Sequence, residues 1–197
     1  MPRNTMKLLE ERIRQEGRFL PPDIVKVDSF LNHMIDPLLM EEMGKEFFRL
    51  FEGCEVTKVL TVEASGIAMA IETARIFRVP LVFAKKSRSR NISSEVWSAP
   101  VFSFTHGNTN DIVISKDYLK SGDRVLIIDD FLANGEALRG MISLCRQAGA
   151  QVAGCGVAIE KAFQPGGREL REKGVRVEAL AAIESMNAET GEVVFRS

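Results

Sequence analysis

The sequence predicts a single α/β domain with a mainly parallel sheet, and three observations favour this fold class. Short apolar segments recur from residue 58 onward, each bounded by polar residues or glycine. Segments with helical spacing of their apolar residues alternate with them, as in βαβ units. The chain has 197 residues without an internal repeat or a linker, and it is long enough to bury a substantial core. We therefore expect one domain over residues 1–197.

The elements before the sheet are predicted to be two helices joined by an irregular segment that contains prolines. Asn4 or Thr5 can cap the first helix, and Gly17 ends it. Pro37 suits the first turn of the second helix, which continues to about Gly53. The irregular segment carries several apolar residues that we expect to be buried.

The sheet is predicted to contain five strands, with a helix after the first strand and after the third. A polar loop and one or two antiparallel strands interrupt this alternation between residues 85 and 118. The predicted strands are 58–62, 81–84, 124–128, 151–159 and 175–183. The predicted helices are 67–77 and 135–147, and a glycine at position 149 stops the second of them.

Composition and charge argue against several classes of protein. The net charge is −1, so no overall positive field indicates binding to nucleic acid or to an anionic membrane. No apolar run approaches the roughly 20 residues that cross a bilayer, and the charged N-terminal segment lacks the apolar stretch of a signal peptide. We therefore expect a cytoplasmic protein with neither a nucleic-acid partner nor a membrane partner.

The cysteines and histidines indicate no metal cage and no nucleophilic triad. Cys54, Cys145 and Cys155 lack CxxC spacing and lie in or beside apolar segments, which favours reduced thiols in the core. His33 and His106 have no nearby Cys or His residues that would complete a metal site. We therefore expect no metal ion that is held by the protein alone.

The most informative segment is a buried strand that ends in two acids and turns through small residues into a helix. The acids are Asp129 and Asp130, and the turn contains Ala133, Asn134 and Gly135. Small residues let a phosphate approach the backbone, and the N–H groups at a helix start attract an anion. Adjacent carboxylates suit a substrate that also carries hydroxyls and develops positive charge, as a ribose phosphate does. A plain acidic turn between strand and helix is the alternative.

This segment resembles the phosphoribosyl-pyrophosphate signature of the type I phosphoribosyltransferases. In that signature four apolar residues, two acids, two apolar residues and a small phosphate loop follow in this order. The resemblance implies that Asp129 and Asp130 are catalytic residues that hold the ribose hydroxyls. It also implies that the loop binds the 5-phosphate through Ala133, Asn134, Gly135, Glu136 and Ala137. Ala133 stands where hypoxanthine-guanine enzymes carry an acid, so their general base is in doubt in this chain.

The resemblance implies a pyrophosphate site in the turn between the first sheet strand and its helix. Ala64, Ser65 and Gly66 in this turn are small, and the Ser65 hydroxyl can donate a hydrogen bond. Backbone amides of the turn would receive the pyrophosphate. A plain turn that leads into the helix, with Ser65 as its cap, remains the alternative.

The polar segment at about residues 85–110 is interpreted as a flexible arm. Lys86 lies at its start and is expected to be a catalytic residue that neutralises the departing pyrophosphate. Arg88 and Arg90 would belong to a lid that closes over the substrates and excludes water. A solvated basic loop is the alternative, and Trp97 is expected to pack rather than to stack on a ligand.

A longer series of segments is similar to the xanthine-specific bacterial members of this family. The series runs from residue 25 to residue 166 and comprises KVDSFLNH, IDPLLM, ASGIA, VFAKK, IIDDFLANG and IEKAFQPG. The resemblance implies a hood formed by the N-terminal segment, with Val25 and Asn32 lining the pocket for xanthine and Lys161 facing a base oxygen. Phe163 could stack on the ring. A pocket that donates to both carbonyls of xanthine would accept guanine and hypoxanthine poorly.

The implied reaction transfers the 5-phosphoribosyl group from phosphoribosyl pyrophosphate to xanthine, giving xanthosine 5′-monophosphate and pyrophosphate in purine salvage. Mg²⁺ is expected on substrate oxygens, with Asp129 as the protein group nearest to it. The resemblance also implies a homodimer. Within the domain it assigns about 1–55 to the N-terminal helices and hood, about 56–160 to the donor-binding core, and about 161–197 to the base pocket and the last part of the sheet.

Two alternatives to this function stay open. The first is a phosphoribosyltransferase for another purine, namely guanine, hypoxanthine or adenine. Adenine carries an exocyclic donor where xanthine carries an acceptor, so Lys161 argues against it. The second is a regulator that keeps the fold and binds nucleic acid. Such a protein needs a basic extension or a strongly positive face, which the mixed charges before the first sheet strand do not provide.

Overall fold

The computed structural model describes residues 6–87, 95–103 and 108–196. The described α-helices are α1 (Lys7–Glu16), α2 (Pro37–Leu50), α3 (Ile67–Phe77), α4 (Glu136–Ala148) and α5 (Gly166–Glu172), and one π-helical turn spans Asp28–Asn32. The described strands are β1 (Arg18–Leu20), β2 (Ile24–Lys26), β3 (Lys58–Val62), β4 (Leu81–Ala84), β5 (Val96–Ser103), β6 (Asn108–Ser115), β7 (Arg124–Leu132), β8 (Gln151–Lys161), β9 (Val177–Met186) and β10 (Val193–Phe195). The expectations for Asn4, Thr5, Arg88, Arg90 and His106 lie outside the described residues.

The described strands form one six-stranded sheet that is parallel except at one edge. Its order is β10-β9-β8-β7-β3-β4, and of these strands β10 alone runs antiparallel to its neighbour. β7 lies between β3 and β8, so the carboxyl ends of these three strands meet at one edge. The predicted α/β fold class, with a mainly parallel sheet flanked by helices, is confirmed.

Two hydrophobic cores lie on the two faces of the sheet. Leu126 and Ile128 of β7 pack with α1, α2 and α3, whereas Val125 and Ile127 pack with α4, α5 and the pair β5–β6. This alternation follows from strand geometry, because successive side chains point to opposite faces. Burial on both faces explains why β7 reads as a continuous apolar run in the sequence.

Glycines in β8 let α2 pack closely on the sheet. A Cβ at Gly156 would lie 2.7 Å from Cε1 of Phe47, and a Cβ at Gly154 would overlap the ring of Phe51. Both rings are fully buried. The absence of side chains at the two glycines therefore makes room for the aromatic residues that hold the N-terminal part of the chain against the sheet.

The described part of the predicted arm contains an antiparallel pair. β5 and β6 pair over their whole length, and Ala99 and Ile112 of this pair belong to the core around α4. The pair also joins the edge of the sheet, where Lys85 and Val113 exchange two backbone hydrogen bonds. The Trp97 Nε1–H donates to a backbone oxygen at 3.1 Å and the ring is half-buried, which confirms its packing role.

Four features lie outside the sequence prediction: the hairpin β1–β2, the π-helical turn Asp28–Asn32, the helix α5 and the edge strand β10. The strands of the hairpin and β10 have three residues each, which is too short for a periodic pattern. α5 begins with Gly166 and Gly167, and glycine is a poor helix former. β7 also continues through Leu132. The expectation that the acidic pair follows the end of the strand is therefore corrected, since Asp129 and Asp130 lie within it.

The expectation for the cysteines is also met. All three are free thiols, and Cys145 and Cys155 are buried. Burial raises the pKa of Cys145 to about 12, so this thiol stays protonated at neutral pH. None of the described helices combines the length and the apolar character that crossing a bilayer requires.

Candidate active site

The acidic pair lies on the central strand β7, at the end of the sheet where the carboxyl ends of β3, β7 and β8 meet. Asp129 is 4% exposed and Asp130 is half-buried. The Asp129 carboxylate accepts from the backbone N–H of Asp130 at 3.1 Å, and the Asp130 carboxylate accepts from that of Phe131 at 2.9 Å. The local backbone thus fixes the direction of both carboxylates without help from a distant residue.

Asp129 lies in an environment that disfavours its charged form. Burial raises the pKa of the Asp129 carboxyl well above its usual range, and the neighbouring Asp130 raises it further. The Lys86 ammonium lowers this pKa, but by less. A buried acid with a raised pKa at the open edge of a parallel sheet is typical of a functional site.

The loop between β7 and α4 presents backbone N–H groups toward the same edge. Gly135 has φ 86°, in the left-handed region that favours glycine, and α4 begins at the next residue. No side chain of the described residues caps this helix start, so its first N–H groups are free to bind an anion.

Arg139 holds this loop in place from within α4. Its Nη1 donates to the backbone oxygen of Asn134 at 2.6 Å and to the Glu136 carboxylate at 2.8 Å. Its Nη2 donates to Glu169 of α5 at 2.6 Å. Arg139 engages the Glu136 carboxylate and offsets part of its negative charge beside the anion site, while the same guanidinium also pairs with Glu169. Glu136 can therefore contribute its backbone N–H rather than its carboxylate.

Gly166 brings the loop after β8 into backbone contact with the loop after β7. Its N–H donates to the backbone oxygen of Ala133 at 3.1 Å. A Cβ at Gly166 would overlap this oxygen and would lie 2.6 Å from the nitrogen of Gly135. Only glycine fits this approach, and the two loops therefore act as one surface.

The turn between β3 and α3 lies beside the acidic pair. A Cβ at Gly66 would be 3.4 Å from Oδ1 of Asp129 and would overlap the hydroxyl of Thr61. Glu63 ties this turn to the end of β4, because its carboxylate accepts from the Lys86 backbone N–H at 2.7 Å. Ser65 is half-buried and Ala64 is exposed. The structure thus brings the predicted pyrophosphate turn and Lys86 close to Asp129.

A cavity of about 690 Å³ joins the acidic edge to the hairpin β1–β2. Asp130 and the whole loop 133–137 line one side of it, and Val25, Asn32 and Lys161 line the other. Val25 is buried in the hairpin, and the buried Oδ1 of Asn32 has no hydrogen-bond partner within the part of the chain that the structure describes. Residues from three distant segments therefore face one space.

The hairpin is fastened to the loop after β8 at Asp23. Lys161 Nζ donates to the backbone oxygen of Asp23 at 2.6 Å, and the Gln164 amide donates to the Asp23 carboxylate. Burial lowers the pKa of Lys161, while the nearby Asp23 carboxylate opposes this shift. The hairpin thus covers the cavity in the position that the sequence assigns to a hood.

This combination of loops can be compared with known proteins. The family model of the phosphoribosyl transferase domain matches residues 35–186, which is more than half of the chain. The chain belongs to the phosphoribosyltransferase family. This confirms the family that the sequence predicts.

Relatives of this phosphoribosyltransferase match it over nearly its whole length. A protein named xanthine phosphoribosyltransferase from Lachnoclostridium phytofermentans is 56% identical over 97% of this chain and 98% of its own. One of the same name from Latilactobacillus sakei is 53% identical over 96% of both chains. A crystal structure of adenine phosphoribosyltransferase from Rhodothermus marinus has a TM-score of 0.72 at 23% identity and covers 89% of this chain and 99% of that chain. This likeness confirms the fold.

Most of the predicted site residues of the phosphoribosyltransferase converge, but Phe163 does not. It lines a neighbouring cavity of about 370 Å³ together with Arg168, Arg171 and Arg196, and its ring is 42% exposed. Phe163 is therefore not brought to the cavity that holds Lys161. A role for Phe163 in stacking on the base stays a prediction that this placement does not support.

The sequence alone does not indicate several residues at the phosphoribosyltransferase site. Asp23 and Gln164 matter because they touch each other across the fold, and Arg139 because it reaches back to the loop before its own helix. Gly166 matters because of a backbone contact. A Gln-Pro-Gly-Gly run after a strand was the one visible signal, since it indicates a close turn.

Proposed function

We propose that the protein transfers the 5-phosphoribosyl group from phosphoribosyl pyrophosphate to xanthine, giving xanthosine 5′-monophosphate and pyrophosphate. The observation that carries this proposal is one cavity that contains a free helix start, an acidic side chain and a half-buried lysine. These groups suit a phosphate, a ribose and an oxopurine, in this order along the cavity. Relatives that are 52–56% identical and carry the name xanthine phosphoribosyltransferase support the choice of base.

The donor side of the proposal uses backbone groups for phosphates and carboxylates for hydroxyls. The N–H groups at the start of α4 receive the 5-phosphate, while Asp130 accepts hydrogen bonds from the ribose hydroxyls. Asp129 lies deeper, and the positive charge that develops on the ribose when pyrophosphate leaves favours its carboxylate form, which in turn stabilises that charge. Ser65 and the backbone of its turn receive the pyrophosphate, and the Lys86 ammonium offsets its charge.

Mg²⁺ fits this arrangement as a companion of the donor substrate. Carboxylate oxygens are the ligands that Mg²⁺ prefers, and two such groups lie side by side at Asp129 and Asp130. The residues that the structure describes contain no group of three His, Cys, Asp or Glu side chains placed to hold a metal ion. Mg²⁺ would therefore keep most of its ligands on substrate and water, with Asp129 or Asp130 beside it. When bound, it would neutralise charge on the pyrophosphate.

On the acceptor side, the proposed contacts are hydrogen bonds to the carbonyl oxygens of the base. Lys161 has three N–H donors and uses one of them on Asp23, which leaves donors for a carbonyl of the base. The Asn32 amide can donate to the second carbonyl. Ala133 supplies no general base. None is needed if xanthine binds as its anion, because the ring nitrogen that attacks the ribose then carries no proton. The family resemblance further predicts a homodimer and a cytoplasmic location, and both are part of the proposal.

The test is nucleotide formation from each of four bases. Purified protein is incubated with phosphoribosyl pyrophosphate, Mg²⁺ and xanthine, guanine, hypoxanthine or adenine, and products are separated by chromatography. We expect xanthine to be the best acceptor and Lys161→Met to raise its KM by about tenfold or more, because a charge-assisted contact to the base is lost. Lys173→Met, at an exposed lysine, is the matched control and should leave the KM for xanthine unchanged.

Each outcome of this assay has a separate meaning. Product mainly from guanine or hypoxanthine would keep the donor side of the proposal and discard the role of Asn32, and product mainly from adenine would also discard the role of Lys161. Absence of product from all four bases would contradict the proposed reaction. A variant at Lys161 that loses turnover while its KM for xanthine is unchanged would show that this lysine supports the fold rather than the base.

A further inference from the structure

The turn that ends β8 carries two side chains that reach the same hood residue. The Gln164 N–H donates to the backbone oxygen of Lys161 at 2.9 Å, which closes a tight turn. Lys161 then contacts the backbone oxygen of Asp23, and Gln164 contacts its carboxylate. All three residues line the cavity next to the donor site. Their polar groups are therefore close together in the wall of the space assigned to the base.

The Asp23 carboxylate determines which way the Gln164 amide points. A carboxylate only accepts hydrogen bonds, so the NH₂ group of Gln164 must face it. The amide oxygen is then turned away from Asp23. This oxygen is buried, and among residues 6–87, 95–103 and 108–196 it has no hydrogen-bond partner. A buried acceptor without a donor is unfavourable, which indicates that a ligand supplies the missing N–H.

We propose that Gln164 is a specificity-determining residue whose Oε1 accepts from the ring N–H beside the purine carbonyl that Lys161 contacts, and that Asp23 is the positioning residue that fixes this orientation. The inference deepens the proposed function and rests on it. Gln164 supplies an acceptor and Lys161 a donor, on one tight turn. An N–H next to a C=O on the edge of an oxopurine complements this pair.

This donor and acceptor pattern separates oxopurines from adenine. Adenine presents an unprotonated ring nitrogen where an oxopurine presents N–H, and an amino group where an oxopurine presents a carbonyl. The ring nitrogen of adenine, an acceptor, would face the Gln164 oxygen, which is also an acceptor, and the amino group of adenine, a donor, would face the Lys161 ammonium. Buried polar groups left unpaired in this way are strongly disfavoured. Xanthine, guanine and hypoxanthine share this edge, so Gln164 does not distinguish among them.

The decisive variant is Asp23→Asn, with Gln164→Met as its companion. An amide at position 23 can either donate or accept, so it keeps contact with Gln164 and also allows the Gln164 amide to turn its NH₂ toward the base. We expect the xanthine-to-adenine selectivity to fall about tenfold in each variant. The selectivity for xanthine over hypoxanthine should stay within about twofold, since both bases carry the N–H. The KM for phosphoribosyl pyrophosphate should also stay within about twofold.

Selectivity is measured as the ratio of kcat/KM values and, independently, as the ratio of dissociation constants from calorimetry. If Asp23 and Gln164 only hold the hood in place, both variants weaken the binding of every base by the same factor and leave the selectivity ratios unchanged. This result would overturn the inference. Failure of the proposed function looks different, because the wild-type protein would then neither bind xanthine nor form nucleotide from it. A wild-type protein that selects xanthine while both variants keep its selectivity contradicts the inference alone.

Discussion

The donor side and the base side of the cavity are built at different distances along the chain. On the donor side, the acids, the phosphate loop and the arginine that holds the loop lie within residues 129–139. On the base side, the contact between Asp23 and Lys161 joins residues 138 positions apart, and that between Asp23 and Gln164 joins residues 141 apart. The acids and the 5-phosphate loop are therefore local, whereas the base side depends on the tertiary fold, as do the pyrophosphate turn and Lys86.

This difference follows from what each side has to recognise. A phosphate needs only several backbone N–H groups and a close approach, which a strand, a small loop and a helix start provide by themselves. A purine has to be enclosed and its edges matched, so side chains must come from more than one direction. The two sides meet at Gly166, whose backbone touches the phosphate loop.

The largest effect is expected where the base side relies on a buried ion pair. Glu160 is 2% exposed, and Arg171 of α5 donates to both of its carboxylate oxygens at 2.7 Å. Arg171→Met leaves the Glu160 charge buried and unpaired. We expect the free energy of unfolding to fall by about 3–5 kcal/mol, measured by urea denaturation.

Arg168→Met is the matched control for this prediction. Arg168 lies on the same helix, its side chain is 73% exposed, and its carboxylate partner is 3.9 Å away. Its replacement should leave stability nearly unchanged. If Arg171→Met proved as stable as Arg168→Met, the turn at Lys161 would not depend on α5, and the contrast between a local and a long-range side would weaken.

The next effect concerns the donor side and should be independent of the base. Asp130→Asn removes a charge-assisted contact to the ribose, worth roughly 1.5–3 kcal/mol, so kcat/KM should fall about ten- to a hundredfold. The loss should be equal for xanthine and for any poorer acceptor base. Glu42→Gln, at an exposed acid on α2, is the control for removing one negative charge. Full activity of the Asp130 variant would refute its placement on the ribose.

The sequence predicted the acids and the 5-phosphate loop well because these parts of the donor side are local. The apolar run of β7, the acids and the small loop lie in one stretch, so strand, turn and helix signals occur together. The strands of the parallel sheet could also be predicted, because burial on both faces makes them continuously apolar. The extension of β7 beyond the acids could not be predicted, since pairing with β8 decides it.

The base side could be predicted only in part. Val25, Asn32 and Lys161 came from a resemblance, and the structure places all three on one cavity. No local pattern shows that Asp23 contacts Gln164, because a hairpin with strands of three residues each and a short turn carry little periodic signal. The placement of Phe163 in another cavity has the same origin, since the direction of one side chain in a turn depends on what packs around it.

The hood has its own electrostatic support at Asp36, which starts α2. Its carboxylate accepts from the N–H groups of Leu38 and Leu39 at 3.0 and 3.2 Å and from Arg12 of α1 at 2.7 Å. The hydrogen bond from Arg12 and those from the helix start lower the pKa of Asp36. The folded protein therefore binds a proton at Asp36 less readily than the unfolded chain, whose aspartates titrate near pKa about 3.9.

The smallest expected effect follows from this shift. The contribution of Asp36 to stability is fully present above the pKa of the unfolded chain, and it is lost as the pH falls through the lower pKa of the folded state. Asp36→Asn keeps an oxygen for the helix cap but removes the charge. We expect it to reduce the free energy of unfolding by roughly 0.5–1 kcal/mol at pH 7, and the difference from wild type should shrink toward pH 3. Asp36→Ala also removes the cap, which adds about 1 kcal/mol at both pH values. A constant difference between wild type and Asp36→Asn over this range would mean that the hood rests on packing rather than on this charge.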